Sequence, residues 1–455
     1  MLIQFAVENY KSFKEKTTFS MVASESDKHH HHVIRLGHDI RLLKGSLLFG
    51  ANASGKSNLI DAMRFSKAII LETSSAFRVM NRYFRLEKEH RDKVGVFSYV
   101  LACGGRVYRY AISLSYLDGE ILEETLNRLD TGVRIFERRL NAQKKISVES
   151  DLVIPNDKER FIFELYREEM NNNPEKTRHE TFLKNVGDRM DSGSASLKDI
   201  KNVLDWFENT LEIMTLDAVF ARGQSPDQGE DDDQMKTLAD LLIHLDTGIQ
   251  SIKSSEVAVE ADELVKEDVR WLQELDHLEK RKRISYRNEM GEKITVFMEN
   301  GLLKSKKLVF SHGNDASFFD YAEESTGTQR LIDMLPVFSG AFKNKVVIID
   351  EIDSGLHTGA SYALIDYFYR NVKGISPSQL IATTHNSSLM DTDLMRLDEL
   401  WLVEKGKNQE TTLSSLNNFD IPEDVVDLDK RYKIGRYGAI PKLKYTDALA
   451  KDKEA

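Results

Sequence analysis

Polar and apolar positions alternate with period two at the start of the chain: Ile3, Phe5 and Val7 share one face, Gln4 and Glu8 the other, and "TTFSMVAS" alternates again. Two short strands joined by "ENYKSFKEK" are predicted. The continuous apolar run "GSLLFG" then reads as a buried strand. Beyond Gly50 the period changes, because Leu59, Ile60, Met63, Ile69 and Ile70 recur at helical spacing. The order is therefore strand, glycine loop, helix.

From Gly95 to Arg139, β-branched and aromatic residues alternate through "GVFSYVLAC", "RVYRYAISLSY" and "RIFERRL", with turn signals at "CGG", "LDGE" and "DTG". This predicts an antiparallel meander. The stretches "KERFIFELYREEM", "SLKDIKNVLDWFENTLEIM", "QMKTLADLLIHL" and "VEADELVKEDVRWLQELDHLEKRKR" carry helix-period apolar faces instead, without the sustained heptads of a coiled-coil arm. Strands return at "ITVFM" and "KKLVFS". After them come a helix following "ESTGTQR", a strand at "KVVIID", a helix around "SYALIDYFYRNV", and strands at "QLIATT" and "ELWLVEK". A second strand-helix-strand series, remote in sequence from the first, suits a mostly parallel sheet covered by helices. The expected class is α/β, with a mixed sheet (a parallel core plus an antiparallel β-subdomain) and a helical insertion. The expected domains are residues 1–149, an insertion at 150–283, and 284–455.

Three motifs carry chemistry. Gly50-Ala-Asn52-Ala-Ser54-Gly55-Lys56-Ser57 is a full G-x-x-x-x-G-K-S between a strand and a helix. Its glycines let consecutive N–H groups turn inward around a phosphate at a helix N-terminus, Lys56 reaches the β- and γ-phosphates, and the Ser57 hydroxyl binds Mg²⁺. "VVIIDE" is an apolar strand ending in Asp350 and Glu351 at the edge where ligands collect. Asp350 is suited to hold the Mg²⁺ through water, and Glu351 to polarise the attacking water. "LIATT" ends at His385, whose place after the other two motifs points to a γ-phosphate sensor.

This order of P-loop, insertion, signature loop, acidic strand and strand-ending histidine resembles the ATP-binding-cassette ATPases, specifically heads of the SMC and RecF type. The resemblance implies ATP and Mg²⁺ as ligands and ATP hydrolysis. It also implies a homodimer in which the signature loop "ESTGTQR" (Ser325 and Gly327, with Gln329) meets ATP bound on the other copy. It makes Asp353 in "DEIDSGLH" the D-loop residue, Lys11 and Ser12 of "ENYKSF" nucleotide neighbours, and Asn58 the residue closing "GKSN". The signature has one glycine where that family has two in a row, and Gln143 is the nearby candidate for the Q-loop glutamine. With "GRYGAIP" at Gly435–Pro441, the whole resembles a compact bacterial group of AAA-family ATPases of the RloA and abortive-infection type. That implies a sensor or regulatory subunit of an anti-phage system acting on a separate nuclease or toxin. A RecF-like repair ATPase that clamps DNA is the alternative. Roughly seventy residues follow His385 and show no array of acidic residues within apolar strands, so a nuclease centre of its own, as in Toprim-bearing relatives, is not expected.

Charge changes this picture in one respect. The net charge of −11 and pI near 5.7 mean that DNA binding requires a local basic patch, for which Lys280-Arg-Lys-Arg283 is the candidate. Gly229-Glu-Asp-Asp-Asp233 reads as a solvated loop tip. Four adjacent side chains, His29 to His32, cannot all converge on one ion, and no acidic or cysteine partner sits at ligand spacing, so no metal is expected there. The single cysteine, Cys103, excludes an intrachain disulfide. No run of about 18 apolar residues and no leader pattern is visible, so a cytoplasmic protein without a membrane partner is expected.

Overall fold

The computed structural model describes residues 1–37, 40–71, 79–172, 174–189, 197–214, 232–257, 283–287, 293–299, 302–313, 317–338, 343–371, 378–422 and 425–441. These fall into two compact units, one of residues 2–208 and 383–455, the other of residues 209–382 with Met1.

The first unit is dominated by a seven-stranded antiparallel sheet. Its order is Ile146–Glu149, Val133–Leu140, Ile121–Arg128, Arg106–Leu114, Gly95–Cys103, Leu2–Glu8 and Thr17–Ser20. The predicted alternation sets the register. Phe19, Phe5, Tyr99, Tyr110, Leu126 and Phe136 stand opposite one another across six successive strands, and every one is fully buried. Because side chains alternate in a strand, this row forms one apolar face. Helix Lys56–Leu71 covers it: Ser66 Oγ lies 2.6 Å from Tyr99 Oη, which also donates to the Met63 carbonyl. Phe207 and Phe182 add ring contacts to Tyr99 and Phe136 at 5.0 Å each. In the same unit Gly45–Phe49 pairs in parallel with Leu400–Lys405 (Leu47 opposite Leu400, Phe49 opposite Leu402), and Leu400–Lys405 pairs antiparallel with Thr411–Ser415.

The second unit holds the parallel strands around the acidic motif. Val346–Ile349 lies between Leu211–Met214 and Gln379–Thr383, parallel to both, and its four residues are buried, which explains the unbroken apolar run. Four further strands, Ser251–Val257, Leu302–Ser311, Lys293–Glu299 and Arg283–Arg287, form an antiparallel sheet in that order, extended by Phe319–Asp320. Helices Asp232–His244, Thr326–Phe338 and Thr358–Asn371 complete the unit.

The mixed α/β class, the parallel strands and the antiparallel meander are present as read. One stretch differs. "SLKDIKNVLDWFENTLEIM" is not a single helix: Lys198–Asp205 is α-helical, Trp206–Thr210 forms a π-turn, and Leu211–Met214 is a strand. Leu, Glu and Met are good helix formers, but pairing with Val346–Ile349 overrides their local preference. The charged stretch 259–282, including Lys280 to Lys282 of the basic cluster, and Gly229 to Asp231 of the acidic one lie outside the described residues. Among the described residues no helix is long and apolar enough to cross a membrane.

A buried polar hub fixes the outer helices to the meander. Glu124, fully buried, accepts hydrogen bonds from Tyr110 Oη (2.9 Å) and from the backbone N–H groups of Phe182 (2.6 Å) and Leu183 (2.9 Å), which open helix Phe182–Gly187. Burial raises its carboxyl above the ordinary range despite the neighbouring guanidinium of Arg138. Arg138, equally buried, donates to the carbonyls of Ile121 (2.6 Å) and Thr177 (3.0 Å). Removing the carboxylate strands two N–H groups and leaves Arg138 without its counter-charge. Glu124→Ala is therefore expected to lower stability by about 3–5 kcal/mol, read as a fall in the urea midpoint; an unchanged midpoint would contradict the hub.

Candidate nucleotide site

Strand Gly45–Phe49 delivers the chain to Gly50, and helix Lys56–Leu71 begins at the end of the loop. The loop conformation requires its glycines. A Cβ on Gly50 would collide with the Val403 carbonyl, and Gly55, at φ 115°, would carry its Cβ into Thr411. Within the loop, Ala53 is also left-handed at φ 60°, and Ser54 N donates to Ala51 O at 3.1 Å. The Lys56 ammonium is buried and donates to the carbonyls of Gly50 (2.8 Å) and Ala51 (3.3 Å). A phosphate oxygen is a stronger acceptor than either carbonyl, so the amine is positioned for exchange onto one. Ser54 Oγ is buried and has no hydrogen-bond partner in the described structure, a state a phosphate oxygen would relieve.

The loop is held from behind. Asn58 Nδ2 donates to Ser12 Oγ at 2.8 Å, and Thr411 Oγ1 lies 2.7 Å from Ser12 Oγ and 2.8 Å from the Ser54 carbonyl. Thr411 has one hydroxyl proton. When it serves the Ser54 carbonyl, Ser12 donates to Thr411, and the chain Asn58, Ser12, Thr411, Ser54 is satisfied in one direction. Ala51 N donates to Ala439 O (2.9 Å), which also accepts from Tyr432 Oη (3.0 Å), so the "GRYGAIP" segment holds the loop at its other end.

Lys11 faces helix Lys56–Leu71. Its ammonium pairs with Asp61 at 2.5 Å, beside contacts to Asp61 from Tyr10 Oη (2.6 Å), Arg64 (2.7 Å) and Arg82 (2.9 Å). Burial acts to raise the Asp61 carboxyl, but hydrogen bonds from Lys11, Tyr10 and Arg64 outweigh it and hold the group well below the usual carboxylate range. This cluster fastens the "ENYKSF" turn to the helix that starts at the P-loop. A cavity of about 990 Å³ opens in front of Gly50, Asn52 and Ser54, and His385 and Lys405 line it too. The P-loop and the exposed His385 are thus brought to one space.

In the second unit, Asp350 N donates to Met214 O at 3.0 Å, continuing the ladder made by the strand the sequence did not show. Asp350 is buried, whereas Glu351 turns left-handed at φ 52°, a conformation that strains a non-glycine residue. Arg330 Nη2 donates to the Asp350 carbonyl at 3.0 Å, and burial lowers the guanidinium's proton affinity. Helix Thr326–Phe338 carries this arginine into place from the signature loop. Ser325 caps that helix, its exposed Oγ accepting from Thr328 N at 3.1 Å. Gln329 Nε2 donates to the carbonyls of Tyr321 and Glu324, both at 3.0 Å, and so holds the loop instead of pointing outward. A Cβ on Gly327 would collide with the Gly355 carbonyl, so the signature glycine is where the Asp353–Gly355 turn packs.

The structure therefore gathers Lys11, Ser12, Gly50–Asn58 and His385 in one unit and Ser325, Gly327, Gln329, Asp350, Glu351 and Asp353 in the other. Gln143 sits on an exposed turn between Val133–Leu140 and Ile146–Glu149. The sequence had no signal for Thr411, and it placed Arg330 and Ala439 only within "ESTGTQR" and "GRYGAIP"; the roles of all three come from contacts with residues distant in the chain.

A family model described as "AAA domain, putative AbiEii toxin, Type IV TA system" matches residues 46–391. No curated protein matches significantly. Solved structures similar to the chain include an SMC head bound to the C-winged helix domain of ScpA (13% identity, 91% of this chain and 97% of that chain, TM-score 0.44). Others are the SMC head domain from Thermotoga maritima (13%, 91% and 98%, 0.42) and an Smc head with an extended coiled coil bound to the C-terminal domain of ScpA, from Pyrococcus furiosus (14%, 92% and 97%, 0.43). At these identities and TM-scores the likenesses carry no inference about activity.

If Thr411 holds the loop as the geometry indicates, Thr411→Val lowers ATP affinity about tenfold, the equivalent of one or two hydrogen bonds, and Thr411→Ser restores it. Equal affinity of the valine variant in calorimetry would remove Thr411 from the site.

Proposed function

From the premise that the chain belongs to this AAA-domain ATPase family, we propose that it binds and hydrolyses ATP, closes into a head-to-tail homodimer around it, and so controls a separate effector in an anti-phage system. The observation that carries the nucleotide part is the P-loop itself. A buried ammonium that donates to two loop carbonyls, a buried Ser54 hydroxyl with no hydrogen-bond partner among the described residues and two obligatory glycines make a cradle for phosphate, open to a cavity that His385 also lines.

In this reading Lys56 and the loop N–H groups bind the phosphates, His385 contacts the γ-phosphate, and Glu351 orients and polarises the attacking water. The hydroxyl of Ser57 and the carboxylate of Asp350 are hard oxygen donors of the kind Mg²⁺ takes, and the ion when bound neutralises phosphate charge. Ser325 is exposed at a helix N-terminus, where a γ-phosphate on a second copy of the chain would find both its hydroxyl and the helix dipole. Because Gly327 packs on the D-loop turn and Arg330 holds the Asp350 backbone, an event at the signature reaches the acidic pair through direct contacts. The defence-system part of this reading draws on the family's description, which names a putative AbiEii toxin and a type IV toxin–antitoxin system; control of a separate effector is our extension of it. A nuclease or toxin frame beside the gene supports that role; replication or repair genes there favour direct DNA clamping.

Two variants test the core of the proposal. Lys56→Ala is expected to abolish ATP binding in calorimetry, and unchanged binding would overturn the P-loop assignment. Glu351→Gln is expected to lower turnover by at least about 100-fold and to elute as a dimer with ATP and Mg²⁺ on size-exclusion chromatography. A variant that stays monomeric under those conditions rules out the composite site.

A further inference from the structure

The four histidines gain a meaning in the structure that their spacing did not give. His30–His32 is a single 3₁₀ turn, closed by His32 N donating to His29 O at 2.8 Å, with His29 left-handed at φ 49°. In a 3₁₀ turn residues three apart eclipse, and the rings of His29 and His32 accordingly stack at 4.7 Å between centroids. The His31 ring meets His32 edge-on at 4.4 Å. His30 takes no part. The ligand atoms of His29, His31 and His32 lie within 4.8 Å of one another.

Each of two rings is also oriented by an oxygen behind it. Glu399, fully buried, holds His32 Nδ1 at 2.9 Å through Oε2, an oxygen that also accepts from Arg396 N at 2.9 Å. His29 Nε2 lies 2.8 Å from the Thr392 carbonyl. A carboxylate behind one imidazole and a peptide carbonyl behind another is the outer-shell arrangement that fixes tautomer and ring direction in histidine metal sites. The acidic partner missing at ligand spacing in the sequence is supplied from 367 positions away.

We propose that His29, His31 and His32 bind one divalent transition-metal ion of the zinc class, with Glu399 and the Thr392 carbonyl orienting two of the rings. His32 presents Nε2 to the ion and His29 presents Nδ1, because their other nitrogens face those oxygens. Three imidazoles with a water in the fourth position suit tetrahedral Zn²⁺ at about 2.0–2.1 Å per nitrogen; loading the ion requires exposed His31 to turn in and half-buried His29 to tilt about its Nε2 contact with Thr392. Glu399 directly precedes strand Leu400–Lys405, and its carbonyl accepts from Ser46 Oγ at 3.0 Å on the strand that leads to the P-loop. The ion would therefore clamp residues 29–32 to two strands of the nucleotide-bearing unit.

The test uses the full chain, purified without a polyhistidine tag and stripped with EDTA. Zn²⁺ titration by calorimetry, with metal content by mass spectrometry after dialysis, is expected to give one ion per chain at micromolar affinity or tighter, and a higher melting temperature. His29→Gln, His31→Gln and Glu399→Gln should each weaken Zn²⁺ binding at least tenfold, while His31→Gln keeps the wild-type circular dichroism and ATP affinity. His31 is exposed, so its variant decides the matter even if a buried substitution unfolds the chain. Absence of stoichiometric Zn²⁺ in the wild type overturns the proposal. So does undiminished binding by His31→Gln, which would place the ion elsewhere, for example at Glu87, Glu89 and His90.

Discussion

A loop that must turn its N–H groups toward a ligand cannot use them to hold itself together, and that constraint organises the nucleotide-bearing unit. Within the loop between Gly50 and Lys56, Ser54 N donates to Ala51 O. Its shape is imposed from outside, by Thr411 on the Ser54 carbonyl, Ala439 on Ala51 N and the Val403 carbonyl packed against Gly50. The seven-stranded sheet serves the same end at longer range, because its apolar row seats the helix that carries Lys56 and Ser57. Rigid support around a loop whose buried Ser54 hydroxyl lacks a partner is what preorganised anion binding requires.

The second unit meets a related problem differently. Asp350 is fixed by ladder bonding on the strand edge and by Arg330 on its carbonyl, whereas Glu351 is set off by a left-handed turn. Two adjacent carboxylates pointing the same way would repel and share one environment. Asp350 is buried and Glu351 half-buried, so the two carboxylates sit in different environments.

What the sequence disclosed follows the range of the interactions. Gly50 to Ser57, "VVIIDE" and the alternating meander are local patterns, since phosphate binding, strand burial and pleat alternation all act over a few neighbouring residues. Leu211–Met214 escaped because only its partner strand makes it a strand. Thr411 and Ala439 are ordinary residues whose importance lies wholly in what they touch. Spacing alone does not reveal the histidine cluster, because a left-handed His29 and its turn cannot be read from four identical letters, nor can Glu399 be assigned to them.

The bond from Ala51 to Ala439 has a consequence for how the protein is made. The loop leaves the ribosome early, but its last brace is synthesised nearly 390 residues later, roughly 20–80 s at ordinary translation rates. Through that interval the nascent loop lacks the Ala439 brace. Competence to hold a nucleotide thus arrives late, and a chain truncated before Ala439 would lack the bracing that shapes the loop.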